Sequence, residues 1–181
     1  MKKLVLVLLC MFAATTMMAQ TVDLEKEPKS ETLKFLEYGA CFKKEFYDIG
    51  TIRDLMCQVL IITDIVDNTK MGCVMLGVTS KFATLDYTEI DACIKFLEYI
   101  KNVTCDQPAV YTEFLFQTND DIEIGAFYNE DGNMIIKQGW NISVQISKYV
   151  SAPTAYFPVK NIDLFIDLLT NAKNLIAEKI K

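Results

Sequence analysis

Residues 83–102, ATLDYTEIDACIKFLEYIKN, and residues 155–174, AYFPVKNIDLFIDLLTNAKN, decide the architecture of this chain. Slid by 72 positions, they match at Ala83/Ala155, Ile90/Ile162, Asp91/Asp163, Ile94/Ile166, Leu97/Leu169, Lys101/Lys173 and Asn102/Asn174. Two amphipathic helices share apolar positions by periodicity alone, but that periodicity does not force the Ile-Asp and Lys-Asn matches. In the first stretch Asp86 is placed to N-cap a helix, and Glu89 three residues later completes a capping box. Ile90, Cys93, Ile94, Leu97 and Ile100 then share one face, and Pro108 closes this half. In the second stretch a helix starts near Lys160 and buries Ile162, Phe165, Ile166, Leu169, Ala172 and Ile176. Lys173, Lys179 and Lys181 suit the negative end of its dipole.

Strand signals precede both helices. Leu55 to Val66 (LMCQVLIITDIV) is apolar on both parities, as a central strand covered on both faces is. A turn at 67–70 returns it as Gly72 to Thr79. Tyr111 to Thr118 and Ile122 to Asn129 flank a turn at Asn119-Asp120, and Glu130-Asp131-Gly132-Asn133 makes another. Trp140, Ile142, Val144 and Ile146 alternate with polar residues, a strand apolar on one face, with Trp140 in the core. A short strand follows around Ala155-Tyr156-Phe157. The fold class expected is therefore α+β: an antiparallel sheet with two amphipathic helices. The sequence match suggests two strand–strand–helix units, 32–107 and 108–181, duplicated about a pseudo-twofold axis within one domain over 32–181.

Outside that domain the chain reads as processing signals. Lys2 and Lys3, an apolar run from Leu4 to about Ala14, and Thr15-Thr16-Met17-Met18-Ala19 before Gln20 have the layout of a secretory signal peptide over residues 1–19. The run is shorter than the roughly 20 residues a bilayer needs. Cys10 follows Leu9 rather than a small residue, so it reads as part of the leader and not as a lipid attachment site. The expected mature protein is secreted or periplasmic with no membrane anchor. Residues 20–31, QTVDLEKEPKSE, read as a flexible lead-in.

Loss of the leader removes Lys2 and Lys3 and moves the net charge from −6 to −8. Arg53 is the single arginine. An acidic chain with one arginine argues against nucleic acid, polyphosphate and anionic lipid as partners. Five cysteines survive cleavage: Cys41, Cys57, Cys73, Cys93 and Cys105. None forms a close pair of zinc-ribbon type, and an odd number leaves at least one thiol unpaired in a monomer. Free thiols acting as small core hydrophobes are the simpler reading, and one or two disulfides the alternative.

The leader ending at Ala19-Gln20, with Tyr87-Thr88-Glu89-Ile90-Asp91, Leu97-Glu98-Tyr99-Ile100, Tyr111-Thr112-Glu113-Phe114 and Ile124-Gly125-Ala126-Phe127-Tyr128, resembles a group of small secreted proteins of Bacteroidetes-type bacteria. The resemblance spans most of residues 55–181 and implies a bacterial source and export. It brings no activity or site residues with it.

Chemistry is narrowed mostly by exclusion. The chain has no histidine, which removes Ser-His-Asp triads, Cys-His dyads, HExxH sites and histidine-ligated metals. There is no S-x-x-K, G-x-S-x-G, G-x-G-x-x-G or Walker loop. Asn129-Glu130-Asp131-Gly132 fails as a calcium loop, since its first and last positions would be Phe127 and Gln138; a hairpin turn explains it better. The sequons at Asn102 and Asn141 carry weight only in a host that glycosylates them. No cofactor is implied. Acidic turns are the one route left to catalysis: Asp64 and Asp67 at one, Asp120, Asp121 and Glu123 at another. A glycoside hydrolase would need two of these carboxyls about 5–10 Å apart across a cleft. Three functions follow as expectations: a secreted, non-catalytic binding or structural module with a protein partner or a second copy of the chain; a carrier whose strands around 55–79 enclose a small apolar ligand; and a carboxylate-dependent glycoside hydrolase.

Overall fold

A computed structural model describes residues 30–36, 41–104, 106–149 and 151–181. The leader, the lead-in up to residue 29, and Cys105 lie outside the described residues. The fold is α+β. It holds two four-stranded antiparallel meanders, each followed by a 3-10 turn and a helix.

A short helix α1 (Glu31–Phe35) leads into β1 (Phe42–Ile52), β2 (Leu55–Asp64), β3 (Lys70–Val78) and β4 (Lys81–Asp86). The turn Tyr87–Glu89 then opens α2 (Ile90–Val103). The second half repeats the order with β5 (Glu113–Gln117), β6 (Glu123–Asn129), β7 (Gly139–Gln145), β8 (Thr154–Pro158), the turn Val159–Asn161 and α3 (Ile162–Lys179). Each helix thus follows four strands; the sequence patterns mark all four in the second half but only β2 and β3 in the first. The strands that carry no clean pattern are β1 and β4. Both are outer strands of the first sheet, paired on one side only, and β1 mixes exposed charge with half-buried aromatics.

The 72-residue match of the sequences reappears in space. Both 3-10 turns and both helix starts coincide at that spacing: Tyr87 with Val159, Ile90 with Ile162. Between the helices Lys101 pairs with Asp163 at 2.5 Å, while Lys173 pairs with Asp91 at 2.6 Å. Each residue of the second pair is its counterpart in the first moved by 72 positions, so the two contacts are reciprocal. A further pair of contacts covers the outer strands β4 and β8. Asp120, in the β5–β6 turn, accepts the backbone N–H and hydroxyl of Thr84 on β4, both at 2.7 Å. Arg53, in the β1–β2 turn, donates to the Tyr156 carbonyl on β8 at 3.1 Å; Tyr156 lies 72 positions after Thr84. These contacts occupy backbone groups that an uncovered strand edge would offer to another chain. Arg53 and Asp121 both take positive φ, 52° and 60°, in the tight turns that make this possible.

The helices are exchanged between the sheets. The helix that ends the second half, α3, lies across β1, β2 and β3, whereas α2 lies against β5. Leu168 of α3 sits over Gly50, and Ile176 sits over Gly72, where a Cβ would come within 2.5 Å of its methyl. Glycine at 72 therefore lets helix and strand approach closely. On the α2 side Phe96 stacks on Phe116, and Tyr99 meets Phe114 edge-on.

One apolar cluster joins both sheets and both helices. Ile90, Cys93, Leu97 and Ile100 are fully buried on α2, as are Phe165, Leu169, Ala172 and Ile176 on α3. Each large side chain so buried contributes roughly 1.5–3 kcal/mol. The double-faced apolar pattern of β2 has its cause in α1. Leu55, Cys57, Val59 and Ile61 face the main core, while Leu60, Ile62 and Cys73 face Phe35, Leu36 and Phe42. Ile65 and Val66 lie beyond the strand and are exposed. Ser30 and Glu31, grouped with the lead-in by composition, belong to α1: Ser30 is buried and its hydroxyl accepts the Leu33 N–H. Trp140 is in the core and donates its indole N–H to the Asp106 carbonyl at 2.8 Å.

Candidate functional site

The acidic turns take structural duties. Asp64 accepts the Val66 N–H and Asp67 the Thr69 N–H, each closing its own turn. The Thr69 backbone bond is the main reason the Asp67 pKa falls below its usual value. Asp120 caps β4, and Asp121 pairs with Lys148 at 3.3 Å. The Asp64–Asp67 turn lies between β2 and β3 of the first sheet, and the Asp120–Glu123 turn between β5 and β6 of the second. Glu123, at the start of β6, lines a hollow.

That hollow lies on the outer face of the second sheet, and strand alternation builds it. On β5 the inward residues Phe114 and Phe116 pack toward the core, so Glu113, Leu115 and Gln117 point outward. Register carries the same face across Glu123, Gly125 and Phe127, then Ser143 and Gln145, then Thr154 and Tyr156. The space measures about 290 Å³, and Tyr111 and Ile136 complete its rim.

Gly125 lies at the middle of this face, between Leu115 and Ser143. A Cβ there would lie 2.7 Å from the Ser143 hydroxyl and 3.7 Å from Glu113 Oε1. The missing side chain leaves room for the Ser143 hydroxyl, with the Glu113 carboxylate beside it. Phe127 and Tyr156 meet edge-on at 6.1 Å and form one wall. The Tyr111 hydroxyl bonds Glu113; partial burial first, then that carboxylate's charge, raise the phenol's pKa. Gln145 is held by the Ser147 carbonyl at 2.6 Å and by the Thr154 hydroxyl. The face therefore combines aromatic walls with fixed carboxylate, amide and hydroxyl groups.

Glu113 stands opposite Phe127, and Glu123 stands opposite Gln117. Four residues of strand separate the two positions, about 13 Å at the usual rise. To act as a hydrolytic pair, two such carboxyls would have to lean together to about 5–10 Å. Glu113, Tyr111 and Tyr156 were missed as site residues in the sequence. The alternation of YTEFLFQT did carry the signal, since it sets Glu113 on the face opposite Phe114 and Phe116.

Two other hollows are lined by described residues. One, about 530 Å³, lies between Lys81 and Phe82 on one side and Ile146, Tyr149, Ala152 and Pro153 on the other. The other, about 490 Å³, is bounded by Arg53, Lys137, Gln138, Pro158, Lys160 and Asn161. No β2 or β3 residue lines any of the three, so the apolar strands meet protein atoms rather than these spaces. Cys41, Cys57, Cys73 and Cys93 are free thiols, and the last three are buried. Among the described residues no cluster of three or more potential ligands is arranged to hold a metal. No helix among them is long and apolar enough to cross a membrane.

No protein-family model matches this chain, and no curated protein is significantly similar to it.

Proposed function

We propose that this chain is an exported, non-catalytic binding module that takes a polyhydroxylated ligand, of the carbohydrate class, on the outer face of its second sheet. The observation that carries this reading is the hollow on that face, lined by Glu113, Glu123, Phe127, Ser143, Gln145 and Tyr156 among others. Aromatic walls at Phe127 and Tyr156 suit the apolar face of a sugar ring, and Glu113, Glu123, Ser143 and Gln145 can accept or share hydrogen bonds from hydroxyls. The lack of histidine and the wide spacing of the two glutamates favour binding over turnover. Export rests on the leader signature at residues 1–19 and on the resemblance to secreted bacterial proteins.

Calorimetric titration with a panel of neutral oligosaccharides tests the proposal. Expected is saturable binding by at least one member, weakened tenfold or more in Tyr156→Ala and in Gly125→Ala. The alanine at 125 displaces only a rotatable serine hydroxyl, so its thermal midpoint should stay close to the parent's. No binding across the panel, or binding that neither variant weakens, overturns the reading.

A further inference from the structure

We infer that the cleft between Arg53, Lys137 and Lys160 is a binding site for a small, multiply charged oxyanion, such as a phosphate group or a di- or tricarboxylate. This goes beyond the hydroxyl-binding face and stands without it. The cleft of about 490 Å³ is lined by three cations and two neutral amides, Gln138 and Asn161, with no carboxylate in its wall. In a chain of net charge −6 whose only arginine lies here, that concentration of positive charge stands out.

Three separate segments deliver the cations, and two are held by specific bonds. Arg53 sits at positive φ in the β1–β2 turn. Its Nη1 donates to the Ile135 carbonyl at 3.2 Å and to the Tyr156 carbonyl at 3.1 Å. Those bonds fix the plane of the guanidinium and leave the Nε and Nη2 donors of its fork for a ligand. Lys137 comes from a loop braced from below. Asn141, fully buried, donates to the Lys137 carbonyl at 2.7 Å and to the Gly139 carbonyl at 2.8 Å. Asn133 ties the same loop by accepting the Ile135 and Ile136 N–H groups. Lys160 lies in the 3-10 turn that opens the 18-residue helix α3, whose N-terminal dipole adds to the positive field. Among the described residues no ion pair neutralises Lys137 or Lys160. Asp163, the nearest acid on α3, is engaged by Lys101. The exclusion of nucleic acid and polyphosphate concerned the charge of the whole surface; a single cleft of this size takes one small anion.

The test is a titration of the ¹⁵N-labelled protein with inorganic phosphate, and separately with citrate, at constant ionic strength set by sodium chloride. Expected are saturable shifts confined to the Arg53 side chain and to the backbone of Lys137, Gln138, Lys160 and Asn161. The double variant Lys137→Gln/Lys160→Gln, at two exposed positions, should bind at least tenfold more weakly at an unchanged thermal midpoint. Tighter binding of phosphate would assign a phosphorylated ligand, and tighter binding of citrate a carboxylated one. Shifts no larger than those from chloride alone, shifts spread over the lysines at large, or full binding by the double variant would overturn the site.

Discussion

Asp86 accepts the Thr32 hydroxyl at 2.7 Å across 54 residues of chain. The same carboxylate accepts the backbone N–H groups of Glu31 and Thr32. It therefore caps the short helix α1, while its own N–H is held by Glu89. Asp86 is fully buried, so removing it leaves donors with no water to replace it. Asp86→Ala should lower stability by about 3 kcal/mol, the scale of a few bonds to a charged group. Hydrogen exchange should quicken at the amides of residues 31–36 by more than global destabilisation accounts for. Unchanged protection there would mean that α1 is held by Phe35 and Leu36 alone.

Lys101–Asp163 and Asp91–Lys173 are reciprocal contacts on exposed helix surfaces. A double-mutant cycle to alanine at Lys101 and Asp163 should give a favourable coupling below about 1 kcal/mol that shrinks in high salt. The cycle at Asp91 and Lys173 should give a coupling of the same sign and salt dependence. Opposite signs would show that the two contacts are not energetically equivalent.

Burial sets the reactivity of the thiols. It pushes the Cys57 pKa up to about 12 and that of Cys73 to about 11, and it raises that of Cys93. At pH 8 roughly one Cys57 thiol in ten thousand is ionised, and the thiolate is the nucleophile. In a Cys105→Ser background a disulfide reagent should label Cys41, which is exposed, and reach the other three only on unfolding. Fast labelling of more than one thiol in the folded protein would contradict this packing.

Glu89 carries a predictable pH signature. Desolvation is the main cause that raises its pKa, outweighing the N–H groups of Asn119 and Asp86 that it accepts. A carboxyl with a raised folded-state pKa binds its proton more tightly in the fold than in the unfolded chain. Its contribution is then fully present below the unfolded pKa, near 4.5, and is lost as pH rises through the folded value. The urea midpoint of Glu89→Gln relative to the parent should therefore climb between pH 4 and pH 7. A difference that stays flat, or falls, would mean that the accepted hydrogen bonds dominate.

Both helices and the central strands were legible in the sequence because each buries a periodic stripe. Ile90, Cys93, Leu97 and Ile100 report a helix whatever lies beneath them. Strands β1 and β4 escaped because neither carries a clean apolar alternation: β1 mixes Lys43, Lys44, Glu45 and Asp48 with its aromatics, and β4 spends Thr84 on Asp120. Asp86 was legible as the capping-box partner of Glu89, and that box is present; its further bonds to Glu31 and Thr32 are set by tertiary contact alone. The hollow on the second sheet was half legible, since alternation names the outward residues. Register alone sets Ser143 beside Gly125 and Tyr156 beside Ser143.

The exchange of helices between the sheets has a consequence for the order in which the molecule is made. The first sheet ends at residue 86, yet the helix that covers β1, β2 and β3 spans residues 162–179. Until that last segment emerges from the ribosome, the apolar side of the first sheet has no lid. Completion of the core must wait for nearly the whole chain.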